Sequence, residues 1–218
     1  MIAVTSNYLS LVKSLPSDAA TMLRNVSWQE YETLLNQITD DPRLRLSYDN
    51  GTLQIMTISR EHEEVLAILR KLIGVLEDEL RMPIQSYGSA THKNELQQKG
   101  VEPDDCYYIK NASRVIGRKI NLSTDPPPDL AIEVDFFNPS LSKFPIYATL
   151  GVPELWRYKN DDVNFFVLND DVYEEVEYSS AFPFLSAETL THFLSLGITD
   201  GQTSAKWAFA DWVKANHK

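Results

Sequence analysis

The segment from Pro126 to Tyr158, PPPDLAIEVDFFNPSLSKFPIYATLGVPELWRY, constrains this chain more than any other stretch. Three prolines end a loop and deliver the chain into an apolar run from Asp129 to about Phe136, which reads as a strand. Successive strand side chains point to opposite faces. Asp129, Glu133 and Asp135 therefore share one row, and Leu130, Ile132 and Val134 share the other. Three carboxylates on one side of a strand made otherwise of core residues repel one another strongly in a low dielectric. Something positive must offset them, and a divalent metal is the usual candidate. A short helix then runs from Lys143 to Leu150 and closes at Gly151, the residue type that helix C-termini favour.

The rest of the chain alternates strand and helix signals. Residues 1 to 25 show no sustained period and are expected to run over the surface, leaving 26–218 as one domain with a core at about 50–168. Ser27 and Glu30 spell a capping box for a helix to about Gln37. Asn50-Gly51 between Leu44–Tyr48 and Thr52–Thr57 is a strong hairpin signal, because both residues tolerate positive φ. Ser59 can cap a long helix to about Leu80, with Val65, Leu66, Leu69, Leu72, Ile73 and Leu76 as its apolar stripe. Residues 83–89 and 106–109 read as strands joined by the polar loop THKNELQQKG. Residues 155–158, 163–168 and 172–178 read as an antiparallel meander with acidic turns. Two helices follow, Ser186 to about Leu196 and about Thr203 to Ala215, the last carrying Trp207 and Trp212. The whole is one mixed α/β domain.

Composition narrows the setting. The chain has 218 residues and is 43% hydrophobic, enough to bury a proper core. Its one cysteine, Cys106, cannot form an internal disulfide, which favours a reducing cytoplasm. The first residues are too short and too interrupted by polar groups for a signal peptide. No apolar run approaches the roughly 20 residues that span a bilayer, so no membrane partner is expected. A net charge of −11 argues against a general nucleic-acid coat. Basic residues do gather at Lys110, Arg114, Arg118 and Lys119, where contact with a phosphate backbone competes with simple solvation.

A second acidic cluster, Glu102-Pro-Asp104-Asp105, stands just ahead of the 106–109 strand. An acid at one strand end, paired with an acid on the next strand, suits phosphodiester hydrolysis. Magnesium accepts one or two carboxylates together with waters and phosphate oxygens, and it lowers the pKa of its water.

Four ordered blocks, VEPDDCYYI, PPDLAIEV, NPS and IYATLGVPELWRY, resemble the Uma-two family of putative restriction endonucleases. That family is abundant in cyanobacteria and belongs to the PD-(D/E)XK nuclease superfamily. The resemblance runs from the Asn50-Gly51 hairpin to about Leu168. It implies a restriction-endonuclease-like mixed β-sheet flanked by helices, with an N-terminal hairpin and C-terminal helices. By position it makes Asp104 the first metal-binding acid and Glu133 the acid of the half-motif. The superfamily's lysine falls at Asp135, where an acid cannot supply positive charge. The family's replacement lysine lies four residues before the tyrosine of Y-x-x-x-G-V-P-E, which is Lys143 before Tyr147. His62 also matches a family position, and Glu61, Glu63 or Glu64 stand beside it. The resemblance implies Mg²⁺, with Mn²⁺ as a substitute, DNA as substrate, and a homodimer.

Several alternatives stand at this level. Asp129 either caps the loop before its strand or assists the metal. Asp135 is either a third ligand or a partner of a local base. A zinc-protease reading of His62-Glu63 fails, because the second histidine would fall at Leu66. The main reading is a metal-dependent endonuclease, and the rival is a nuclease fold that has lost catalysis and serves as a binding or scaffold module.

Overall fold

A computed structural model describes residues 12, 14–17, 19–38, 43–118, 120, 124–136 and 141–217. Strand β1 (Ala20–Arg24) lies at a sheet edge. Helix α1 (Trp28–Ile38) opens with reciprocal bonds between Ser27 and Glu30, the expected capping box. Asn50 and Gly51 take φ of 43° and 85°, the pair a tight two-residue turn needs. They fold β2 (Leu44–Asp49) back on β3 (Thr52–Thr57). Ser59 accepts from the His62 amide and starts α2 (Arg60–Leu80).

After α2 the strand expected at 83–89 shrinks to β4 (Gln85–Ser86). The polar stretch beyond it is a hairpin, β5 (His92–Asn94) and β6 (Lys99–Val101). Its order comes from long-range pairing with β2 and not from an apolar period. Then follow β7 (Asp105–Tyr108), a one-turn α3 (Ala112–Val115), β8 (Leu130–Asp135) and α4 (Phe144–Leu150), closed by Gly151 at φ 75°. The meander is β9 (Glu154–Lys159), β10 (Asp162–Asn169) and β11 (Val172–Val176). Helices α5 (Ala187–Thr199), capped by Ser186, and α6 (Gln202–Asn216) complete the described chain.

The strands form two sheets. One is antiparallel, ordered β1-β3-β2-β6-β5, and packs Leu46, Tyr48, Leu53 and Ile55 against Tyr31, Leu34 and Leu35 of α1. Residues 20–24 thus pair in register with β3, and Val12 is buried in the same cluster. The first 25 residues are therefore not merely a surface segment where they are described.

The other sheet is mixed, ordered β11-β10-β9-β8-β7-β4, with β8 and β9 parallel across the α4 crossover. Leu130, Ile132 and Val134 face α2, α5 and α6, together with Trp156, Phe165 and Phe209. Trp212 packs there too, over Phe209 and Phe184, whereas Trp207 is exposed. The opposite row, from Ala131 onward, faces α4 through Ile146 and Tyr147. Both faces of β8 are covered, which explains why its sequence is so apolar. No helix among the described residues is long and apolar enough to cross a membrane.

Candidate active site

The acid row of β8 meets α4 at Glu133. Lys143, at the N-terminal cap of α4, places its Nζ 2.5 Å from Glu133 Oε2. Tyr147, one turn along α4, donates its hydroxyl to Glu133 Oε1. All three side chains are buried, at 2% exposure for Glu133, 5% for Lys143 and 0% for Tyr147. The i, i+4 spacing on one helix face sets the two donors side by side. The charge that offsets the carboxylate row thus comes from the chain itself, through Lys143.

Asp104 enters from the loop before β7. Its amide donates to Ile132 O at 3.1 Å, and its Oδ2 accepts from Val134 N at 2.8 Å. His62, in the first turn of α2, brings Nε2 to 3.1 Å from the same Oδ2, with the ring turned out of hydrogen-bond alignment. Arg45 of β2 approaches Oδ1 with its Nε at 3.5 Å. Burial raises the Asp104 carboxyl, but His62, Lys143 and Arg45 outweigh it and hold the group below its ordinary range. Glu133 goes the other way. Burial pushes it up, the neighbouring Asp104 and Asp135 add to that, and Lys143 only partly opposes them. Lys143 is raised in spite of its burial, because Glu133, Asp104 and Asp135 all favour its charged form.

Asp135 is half-buried at the end of β8, on the same face as Glu133. Burial raises its carboxyl, and Lys143, Arg157 and Lys159 pull it down. The structure therefore draws Asp104, Glu133, Lys143, His62 and Asp135 together. Asp104 Oδ1 is buried and accepts no hydrogen bond among the described residues. That oxygen faces Arg45 without a hydrogen bond, and a carboxylate oxygen beside a second acid is the hard donor type that Mg²⁺ takes with one or two carboxylates. No group of three His, Cys, Asp or Glu side chains among the described residues could hold a metal.

Other candidates lie elsewhere. Asp129 accepts from the amides of Ile109 (2.7 Å) and Asn111 (2.9 Å) and from Asn111 Nδ2 (2.7 Å). It is four residues from Glu133, about 13 Å along an extended strand, and it anchors the loop into α3. The loop-capping alternative is the one realised. Lys110 follows Ile109 in that same loop, Arg114 contacts Asn111, and Arg118 pairs with Asp125. These bases gather at the Asp129 end and not around Glu133, because the loop that carries them is tied to Asp129. Lys119 lies outside the described residues, as does the Asn138–Ser140 block. Glu61, Glu63 and Glu64 face solvent while His62 faces inward.

Two partners escaped the sequence reading. Arg45 alternates with Leu44 and Leu46 and so reads as a solvent-side residue of a hairpin. Tyr147 was a spacing marker only. Arg45, Ser47 and Gln54 form a buried polar row on the hairpin. Gln54 belongs to the same polar face and accepts from the Leu141 amide at 3.0 Å, which ties the segment before α4 to the hairpin.

A family model described as Uma2, putative restriction endonuclease, matches residues 28–199. Among solved structures, the crystal structure of a putative nuclease belonging to DUF820 from Anabaena variabilis ATCC 29413 is similar at 15% identity and a TM-score of 0.45, covering 68% of this chain and 90% of that chain. No curated protein matches.

Proposed function

The chain belongs to the Uma2 family of putative restriction endonucleases, and from that premise we propose that it is a metal-dependent endonuclease hydrolysing phosphodiester bonds in DNA. The observation that carries the reading is the convergence of Asp104, Glu133 and Lys143 in one buried cluster, from a loop, a strand and a helix cap. Asp104 and Glu133 would hold Mg²⁺ or Mn²⁺. When bound, such an ion stabilises charge on the phosphate and lowers the pKa of water.

The chain's own residues then divide the work. Lys143 supplies the cation that the superfamily keeps at the position of Asp135, and its bond to Glu133 aims it. Tyr147 fixes the other Glu133 oxygen, so the carboxylate cannot rotate freely. His62 and Arg45 keep Asp104 ionised and therefore a competent ligand. Cutting both strands of a duplex calls for two such sites, so two copies acting together belong to the proposal. A buried free thiol at Cys106 suits a reducing cytoplasm.

Supercoiled plasmid incubated with Mg²⁺ or Mn²⁺ is expected to be nicked by the wild type. Full activity in Glu133→Ala would sink the assignment. The rival, a scaffold with a dead site, draws on Asp135 and on the internal partners that already occupy both Glu133 oxygens. Calorimetry showing no Mg²⁺ or Mn²⁺ binding at millimolar concentration would favour it.

A further inference from the structure

We propose that Arg157 is a substrate-binding residue of this site, its guanidinium taking a phosphate oxygen of the nucleic-acid strand that lies against Glu133. The inference rests on the nuclease reading above.

Strand β9 runs parallel to β8 in a register that sets Arg157 beside Glu133 and Lys159 beside Asp135. Partners in register on neighbouring strands share a face and sit about 4.8 Å apart. Arg157 therefore projects on the acid face of the sheet, next to the proposed metal-binding acid. Its effect on Asp135, lowering a carboxyl that burial raises, shows that its charge reaches the row.

The other cations of the cluster are engaged. Lys143 is held by Glu133, and Arg45 faces Asp104 while donating to Leu44 O at 2.8 Å. Arg157 differs from both. Its guanidinium carbon lies 4.8 Å from the Phe166 ring centroid and 5.2 Å from that of Phe144. Its Nε is buried with no hydrogen-bond partner, and its side chain makes no ion pair among the described residues. The two rings flank the guanidinium, inclined at 64° to each other, and leave its N–H fork uncommitted among the described residues. A planar fork matches phosphate oxygens in a way that a lysine cannot.

Position supports the same role. In open α/β sheets, ligands bind beyond the carboxyl ends of parallel strands. β8 and β9 are the parallel pair here, and Asp135 and Lys159 mark their ends. Arg157 is half-buried, one step inside that end, where a phosphate aimed at Glu133 would pass. The bland reading makes Arg157 an apolar filler between Phe144 and Phe166. It predicts that any long unbranched side chain does as well.

Arg157→Met separates the two, because it keeps the stem and removes the fork. The probe is a fluorescein-labelled DNA duplex, bound in Ca²⁺ across a salt series and cleaved in Mg²⁺ or Mn²⁺. The variant is expected to raise Kd and KM by about tenfold and to lower the salt slope by about 1. Arg157→Lys should recover the slope but only part of the affinity. Wild-type KM and wild-type salt slope in Arg157→Met would overturn this inference and leave the nuclease reading standing. A wild-type protein that neither binds nor cuts the duplex would overturn both. Should the variants fail to fold, a crystal structure of the wild type with an uncleaved duplex decides. A guanidinium nitrogen about 3 Å from a phosphate oxygen supports the role, and a strand that passes elsewhere removes it.

Discussion

One buried carboxylate stands just before strand β8 and another near its far end, and the two are held in opposite ways. Asp129 accepts mainly from backbone amides, those of Ile109 and Asn111, whose own loop would lose its shape without it. Among the described residues Glu133 accepts from side chains, the ammonium of Lys143 and the hydroxyl of Tyr147. An amide cannot leave without unfolding a loop, so a carboxylate satisfied that way is structural. A side chain can rotate away and hand the oxygen to another ligand. The identity of the donors, more than burial, separates the two acids, since Asp129 is 7% exposed and Glu133 2%.

The largest effect is expected at the cation that makes the Glu133 end tolerable. Lys143→Met keeps the volume but leaves Asp104, Glu133 and Asp135 facing one another. Breaking a buried pair by removing one partner typically costs about 3–5 kcal/mol, and a urea midpoint measured at neutral pH should fall accordingly. An unchanged midpoint would mean that Lys143 is not the counter-charge of the row.

Next comes a crossing of the two acids. Glu133→Gln is expected to reduce plasmid cleavage by about 10²-fold or more, and it also takes the direct charge partner away from buried Lys143. Its amide nitrogen replaces one of the two oxygens that accept from Lys143 and Tyr147, so the urea midpoint should fall as well, by less than in Lys143→Met because Asp104 and Asp135 still face the lysine. Asp129→Asn should cost stability alone. Its carbonyl oxygen can still meet the two backbone amides, but an amide nitrogen then faces Asn111 Nδ2, a loss of about 1–3 kcal/mol for buried groups left unpaired, while cleavage per folded molecule stays at the wild-type level. If Asp129→Asn kills cleavage in a fully folded protein, the division between structural and functional acids fails.

What could be read from the sequence was whatever is local in the chain. Asn50-Gly51, the Ser27–Glu30 box and the Ser59 and Ser186 caps each act within four residues, and all appear where expected. The row containing Glu133 is equally plain, while the four-residue spacing from Lys143 to Tyr147 gains its meaning only from the family resemblance. The role of Asp129 was not, because its amide donors lie 20 and 18 residues earlier in the chain. Arg45 stayed hidden for a related reason. An alternating strand reads as half-solvated, and only the stacking of the hairpin over the mixed sheet buries its polar side. The β5–β6 hairpin has the sequence of a loop because its pairing energy comes from β2 and not from its own side chains.

The smallest predicted effect is a pH signature that separates Glu133 from its neighbour Asp104. Glu133 is raised in the folded protein, chiefly by burial. Its contribution to stability is therefore fully present below about pH 4.3, the unfolded value, and is lost as pH rises through the folded value. Asp104 is lowered, because His62, Lys143 and Arg45 outweigh its burial. Its contribution is present above about pH 3.9 and is lost as pH falls through the folded value. Each is expected to be on the order of 1 kcal/mol. Urea midpoints from pH 3 to 9 should show the alkaline-side slope disappear in Glu133→Gln and the acid-side slope disappear in Asp104→Asn. A metal competes with the proton for Glu133, so Mn²⁺ affinity should climb over the same interval in which the Glu133 stability slope appears. Affinity that is flat there, with the slope intact, would leave Glu133 a buried acid without a ligand role.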